Sequence, residues 1–350
     1  MALDVTGPYR YPAPSPTWLA LREEPVLDAG QRIVDAHHHI WNEPGNPYLL
    51  REYASDLASG HNVAATVFVQ AGYGYRAHGP DLLRCVGETE KVARLRKEAR
   101  SERIGTDIGA AIVGFADLTL GDRVSLVLDA HTEAGEGAFR GVRHSVARDP
   151  HFPDGIVVRP APEGLLLDDA YRTGLAAVAR RGLSYDAMLY HAQLPELRRT
   201  AAALPDLRIV LDHFGCVLGV GPYVGREEES FRRWRSDIAE LARCPNVTVK
   251  LGGLGMIICG ARWNELPLPP TSEDLAQAWR PWVETCIELF GAERCMFESN
   301  FPVDKSMYAY RTCWNAFKRL TEGASQAEKN MLFYGTACRT YGIALPGSTV

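Results

Sequence analysis

Three consecutive histidines, His37, His38 and His39, follow Asp35 in the stretch VDAHHHIW, in a chain with only ten histidines. Along an extended strand, successive side chains point to opposite faces. Asp35, His37 and His39 are therefore expected on one face and His38 on the other. Two imidazoles side by side at a strand end can ligate a divalent metal or hydrogen-bond a substrate carbonyl. His38 is expected to pack against the neighbouring layer as a structural residue.

Strands must carry these residues to one place. Strand-like runs are expected at 32–40, 64–71, 109–118, 137–144, 183–190, 208–215, 246–254 and 294–301. Helical patterns fall between and after them, at 81–100, 167–182, 273–291 and 325–343, and in LPELRRTAAALP and FRRWRSDIAELARC. Pro281 is expected to kink the 273–291 helix or mark its first turn. Strands separated by helices imply parallel β-α-β units. Eight units predict a (β/α)8 TIM barrel rather than an open doubly wound sheet, which also alternates. Residues 1–31, with YPAPSPTW at their centre, are expected to form an extended Pro-rich arm, and 32–350 the barrel with extra C-terminal helices. Active sites of such barrels sit at the C-terminal mouth, where His37 and His39 would stand together.

The chain has 350 residues, 46% of them hydrophobic, and a net charge of −5. That balance speaks against a nucleic-acid or anionic-membrane partner and leaves a small-molecule substrate. No run is long enough to span a bilayer, and no signal pattern opens the sequence. Eight scattered cysteines without a C-x-x-C pair suit a reduced, cytoplasmic chain. Whether it forms a homo-oligomer is left open by the sequence.

DAHHHIW resembles the D-x-H-x-H-x-W opening of the amidohydrolase-related barrel hydrolases of the amidohydrolase superfamily. RIVLDHFG is similar to that family's strand with a further histidine. YDAMLYHAQLPEL resembles its stretch with a histidine and glutamine before a helix, and MFESNFPVD its last strand, commonly S-D-W-P. The resemblance runs from about residue 32 to 340. It implies a core site of His37, His39 and His213, the last ending its apolar run just before Gly215. Three imidazoles suit a divalent transition ion such as zinc or manganese, which polarises a carbonyl or lowers the pKa of a bound water. In the lactonase-like branch the histidines instead donate directly to a carbonyl. The departure is Asn300, where the family usually has an aspartate that ligates metal or acts as base. Asparagine cannot take a proton from water but can donate and accept hydrogen bonds. Two nearby acids are candidates to replace it: Glu298, on the same face and deeper, and Asp304, in the loop beyond, which is equally suited to capping a helix near Met307.

Arg143, after the fourth strand, is placed to fork onto a substrate carboxylate. Tyr190, His191 and Gln193 follow the fifth strand as substrate contacts, with His191 an alternative metal ligand. Lys250, in apolar NVTVKL, needs an acidic partner, and Glu298 is the expected one. KLGGLG is glycine-rich but lacks the spacing of a phosphate loop. These features predict a hydrolase that opens a lactone or similar cyclic ester of a small acidic molecule by water attack. The alternatives are a metal-dependent decarboxylase of an aromatic or muconate-type acid and, given Asn300, a non-catalytic binding barrel.

Overall fold

The strand-and-helix alternation becomes eight parallel strands: β1 (Arg32–His38), β2 (Asn62–Val69), β3 (Asp107–Gly114), β4 (Phe139–Val142), β5 (Ser184–Ala187), β6 (Arg208–Leu211), β7 (Val247–Leu251) and β8 (Cys295–Phe297). This computed structural model describes residues 11–156 and 159–346. Each strand pairs with the next in chain order. Just beyond β8 the ring closes: Asn300 N donates to His37 O at 3.0 Å and His39 N to Phe301 O at 2.8 Å. Eight parallel strands in sequential order, each followed by a helix, make a (β/α)8 barrel.

The helices are α1 (Leu50–Leu57), α2 (Val86–Ser101), α3 (Ser125–Ala134), α4 (Asp169–Arg180), α5 (Leu194–Ala203), α6 (Glu227–Ala242), α7 (Ser272–Phe290) and α8 (Tyr310–Leu320). Two of them, α1 and α3, lie where the sequence pattern marked no helix. Side chains cap two of the others: Asp168 accepts from Tyr171 N at the start of α4, and Thr271 with Asp274 forms a capping box on α7. Pro281 lies inside α7, not in its first turn. A last helical stretch, Gln326–Asn330 through Thr336–Tyr341, closes the chain.

Val34, Ala36, Val67, Val113, Val210 and Met296 form one buried apolar cluster together with Tyr341 from the last helix. Above it, towards the strand C-termini, the packing turns polar. Asp186, Asp212, Lys250 and Glu298 are all fully buried there. The arm, residues 11–31, has one short helix, Pro16–Leu19, and runs along α7 and α8. Lys318 Nζ donates to Leu27 O at 2.7 Å, Asn315 Nδ2 to Pro25 O at 2.9 Å, and Ser272 N to Glu24 Oε1 at 2.7 Å. All eight cysteines are free. No helix among the described residues is long and apolar enough to cross a membrane.

Candidate active site

The end of β1 does not keep strict alternation. Its register against β2 shifts between Asp35 and His38, so three steps on β1 oppose two on β2. Such a bulge re-aims the side chains around it. Asp35 therefore turns outward. It accepts from Ser299 Oγ at 2.6 Å and from the phenols of Tyr53 and Tyr310, both at 3.0 Å. The expectation that Asp35 shares a face with His37 and His39 is corrected accordingly. His38 also faces the helix layer, stacked on Tyr53 at 4.2 Å and bonded to Thr66 Oγ1 at 2.9 Å. Burial pulls the His38 pKa down to about 3, so the ring is neutral.

His37, His39 and His213 converge. The ring of His37 lies 4.8 Å from that of His39 and 4.6 Å from that of His213. His39 Nδ1 donates to Val69 O at 2.7 Å, which leaves Nε2 bare and pointing at His37 Nε2, 3.1 Å away. His37 has two consistent proton arrangements. In one, the proton is on Nδ1, which lies 2.9 Å from Glu298 Oε2 in an ion-pair contact rather than an aligned hydrogen bond, and Nε2 is bare. In the other, Lys250 Nζ donates to Nδ1 at 3.2 Å and Nε2–H donates to His39. The first presents two bare nitrogens at a spacing that two ligands of one ion take at bond lengths of about 2.0–2.1 Å. His37, Asp212 and His213 also have ligand atoms within 4.8 Å of one another. The donor set thus fits a divalent cation, with His37 common to both groupings. Arg143 Nη1 stands 3.3 Å from the same His37 Nε2.

A buried charge network underlies the imidazoles. Lys250 Nζ lies 2.7 Å from Asp186 Oδ2 and 3.0 Å from Asp212 Oδ1. The expected Lys250–Glu298 pair is replaced by these two contacts. A fully buried ammonium is better held by two carboxylates and by the Tyr341 ring, 5.6 Å away. Burial alone would lower the Lys250 pKa, but Asp186 and Asp212 raise it. Glu298 instead accepts from His213 Nδ1 at 2.7 Å. Burial would raise the Glu298 pKa, yet His213 and His37 bring it down to about 2. Against burial, Glu298 raises that of His213.

His213 reaches the mouth because the chain leaves β6 in a left-handed turn, with φ of 53° at His213 and 56° at Phe214. Facing it, KLGGLG supplies room. A Cβ on Gly253 would sit 2.5 Å from His213 Nδ1, and one on Gly255 would sit 2.9 Å from Asp304 Cγ. The glycine run is a clearance for the site, not a phosphate cradle. Asp304 accepts from Gly255 N at 3.0 Å, from Asn300 Nδ2 at 2.9 Å and from the Tyr308 phenol. It does not cap α8, whose N-cap position is Ala309. Burial raises its pKa to about 7. The Asp304 bond orients the Asn300 amide and leaves Oδ1 buried at the pocket wall without a partner among the described residues.

A cavity of about 300 Å³ opens above, lined by His39, Arg143, His213 and Asn300 among others. Of the other residues that the sequence singles out, His37, Lys250, Glu298 and Asp304 lie behind this wall. Tyr190, His191 and Gln193 do not line it. Gln193 instead holds the loop after β4, donating to Val146 O at 2.7 Å and accepting from Arg148 N at 3.0 Å. His191 Nδ1 accepts from Leu218 N at 3.3 Å.

The model of the amidohydrolase family matches residues 34–343. The chain belongs to this family. It is 33% identical over 333 residues to the uncharacterized protein y4mH of Sinorhizobium fredii, covering 89% of this chain and 98% of that one. It is 27% identical over 335 residues to an L-fucono-1,5-lactonase of Burkholderia multivorans, covering 91% and 98%. An amidohydrolase structure from Burkholderia multivorans with bound Zn superposes with a TM-score of 0.67 at 25% identity, over 89% of this chain and 99% of that one.

Within this amidohydrolase barrel, Asp186 and Asp212 were missed as site residues in the sequence. Their signal was present: YDAM and VLDHF each place an acid in an apolar strand, and a buried lysine needs carboxylates. Tyr11, which also lines the cavity, gave no such signal, since nothing in a Pro-rich arm says where it ends.

Proposed function

We propose that this amidohydrolase opens the lactone of a small hydroxylated acid by attack of water on the ring carbonyl. The observation that carries the reading is the Glu298–His213 pair, which meets two further imidazoles at the base of a cavity walled by Arg143 and Asn300. The lactonase relatives support the same chemistry.

His213 Nε2 takes the proton of the attacking water, while Glu298 holds Nδ1–H and stabilises the imidazolium that forms. Asn300 Oδ1, which has no partner among the described residues, accepts the second water hydrogen and fixes the line of attack. Arg143, 3.3 Å from His37 Nε2, faces the developing oxyanion. His213 then returns its proton to the ring oxygen as the acyl C–O bond breaks, leaving the open hydroxy acid. His37 and His39 would hold a divalent ion through their bare Nε2 atoms, which when bound adds carbonyl polarisation, while His213 Nε2 stays free for the water proton.

The acid-base role assigned to His213 needs a leaving oxygen to protonate, which a lactone has and a decarboxylation lacks. Incubating the purified protein with a panel of sugar 1,5-lactones and, separately, aromatic acids tests this. The expected result is faster ring opening for some lactones and no carbon dioxide from the acids. Carbon dioxide release without lactone turnover would reverse the assignment. Turnover of neither class would support a binding protein.

A further inference from the structure

The arm climbs from the start of β1 along α8 and α7 and ends, in the described residues, inside the substrate cavity. Its course is fixed by bonds to the barrel at Lys318, Asn315 and Ser272, and then by Trp18 Nε1, which donates to Leu266 O at 2.9 Å. Beyond Trp18 the arm leads to Tyr11, which is half-buried and lines the same cavity as His39, His213 and Asn300. The Tyr11 hydroxyl has one partner among the described residues, the Met256 thioether at 3.8 Å. Sulfur is a weak acceptor. A phenol brought into a cavity with only a thioether to bond retains almost all of its donor capacity for a ligand. Burial raises its pKa well above the usual 10, so the hydroxyl keeps its proton at neutral pH and acts as a donor.

The surroundings indicate what it donates to. The cavity that Tyr11 enters has apolar lining from Trp41, Met188, Met256 and Val303 and polar lining from Gln70, Tyr75, His144, Ser145 and Arg159, beside the Arg143, His213 and Asn300 assigned to the reacting carbonyl. Once the ester group is held by Arg143, His213 and Asn300, the remainder of a lactone ring lies in this mixed lining, where the Tyr11 phenol has only a thioether as partner among the described residues. Met256 follows β7, so the phenol enters from that side of the mouth.

We propose that the arm completes the substrate pocket and that Tyr11 is a specificity-determining residue, its phenol donating to a ring hydroxyl of a hydroxylated lactone. This rests on the lactonase reading for the reaction but not for the binding contact. A site built to bond a substrate hydroxyl discriminates against the analogue that lacks it.

The test compares wild type with Tyr11→Phe and Tyr11→Ala in the full chain. The readouts are kcat/KM on a hydroxylated sugar 1,5-lactone and on unsubstituted δ-valerolactone, and the calorimetric Kd of the corresponding open hydroxy acid. Loss of one neutral hydrogen bond corresponds to about a three- to tenfold change. Tyr11→Phe is expected to lower the ratio of kcat/KM for the hydroxylated over the plain lactone by that factor, and to weaken binding of the acid equally. Tyr11→Ala is expected to raise KM further for both lactones by opening the wall. An unmoved ratio and an unmoved Kd in Tyr11→Phe would overturn the proposal, as would failure of wild type to bind either compound. If no lactone is turned over but the acid binds and Tyr11→Phe weakens it, the contact stands and the reaction assignment fails.

Discussion

At the scale of single residues, three adjacent histidines have three different environments. His39 opens to the cavity, His37 sits behind it on Glu298, and His38 lies in the helix layer on Tyr53. Truncating His38 removes a stacked ring and its bond to Thr66 from a fully buried position. His38→Ala is expected to cost about 3 kcal/mol of stability while leaving turnover near wild type. His39→Ala is expected to retain its melting temperature more fully and to lose about 10²-fold or more in kcat. Melting curves and lactone kinetics on both variants check this; equal kinetic loss in two folded variants would contradict the division. Alternation in the sequence was enough to separate His38 from its neighbours. It misplaced Asp35, because a bulge inserts one residue and inverts the face of everything on one side of it. Lys250 was legible as a residue in need of a partner, but the choice of Asp186 and Asp212 over Glu298 depends on strand stagger, which no single-strand pattern contains.

At the scale of elements, the loops after the strands position the chemistry. The sequence marked all eight strands, yet it extended several past their ends, as at 208–215, where β6 stops at Leu211. The apolar run continues there, but the backbone turns left-handed so that His213 swings over the mouth. Gly253, with φ of 77°, leaves the space His213 occupies. Gly253→Ala is expected to push that imidazole off Glu298 and reduce kcat by about 10²-fold, with a strain cost of about 1–2 kcal/mol. Wild-type kinetics in this variant would show that the clearance is unimportant. The loop after β2 makes a separate pH-dependent contribution. Glu88 accepts from Ala71 N at 2.8 Å and Tyr73 N at 2.9 Å, and burial raises its pKa to about 7. Between the ordinary glutamate pKa of about 4.3 and that value the folded state binds more protons than the unfolded one, so this contribution falls as pH rises through the window. Thermal melts from pH 5 to 8 should show wild type losing stability relative to Glu88→Gln over that range. A constant difference would contradict the assignment.

At the scale of the molecule, the barrel gathers a buried charge cluster. Asp186, Asp212 and Glu298 face Lys250, Arg143 and a His213 whose pKa is raised. These residues come from five of the eight strand ends, and the closure between β1 and β8 sets His37 against Glu298. That closure was expected from the count of β-α units, whereas the reach of the arm into the cavity was not, since arm and cavity meet only through tertiary contacts. All of the proposed chemistry depends on the Glu298–His213 pair handling the proton in lactone opening. It is tested most directly by the steady-state rate of opening of a hydroxylated 1,5-lactone, above the spontaneous rate, by wild type, His213→Ala and Glu298→Gln at equal folded concentration. Turnover by wild type is expected, with a loss of about 10²–10⁴-fold in kcat for His213→Ala and a smaller loss for Glu298→Gln. Wild-type rates in a folded His213→Ala would contradict that role.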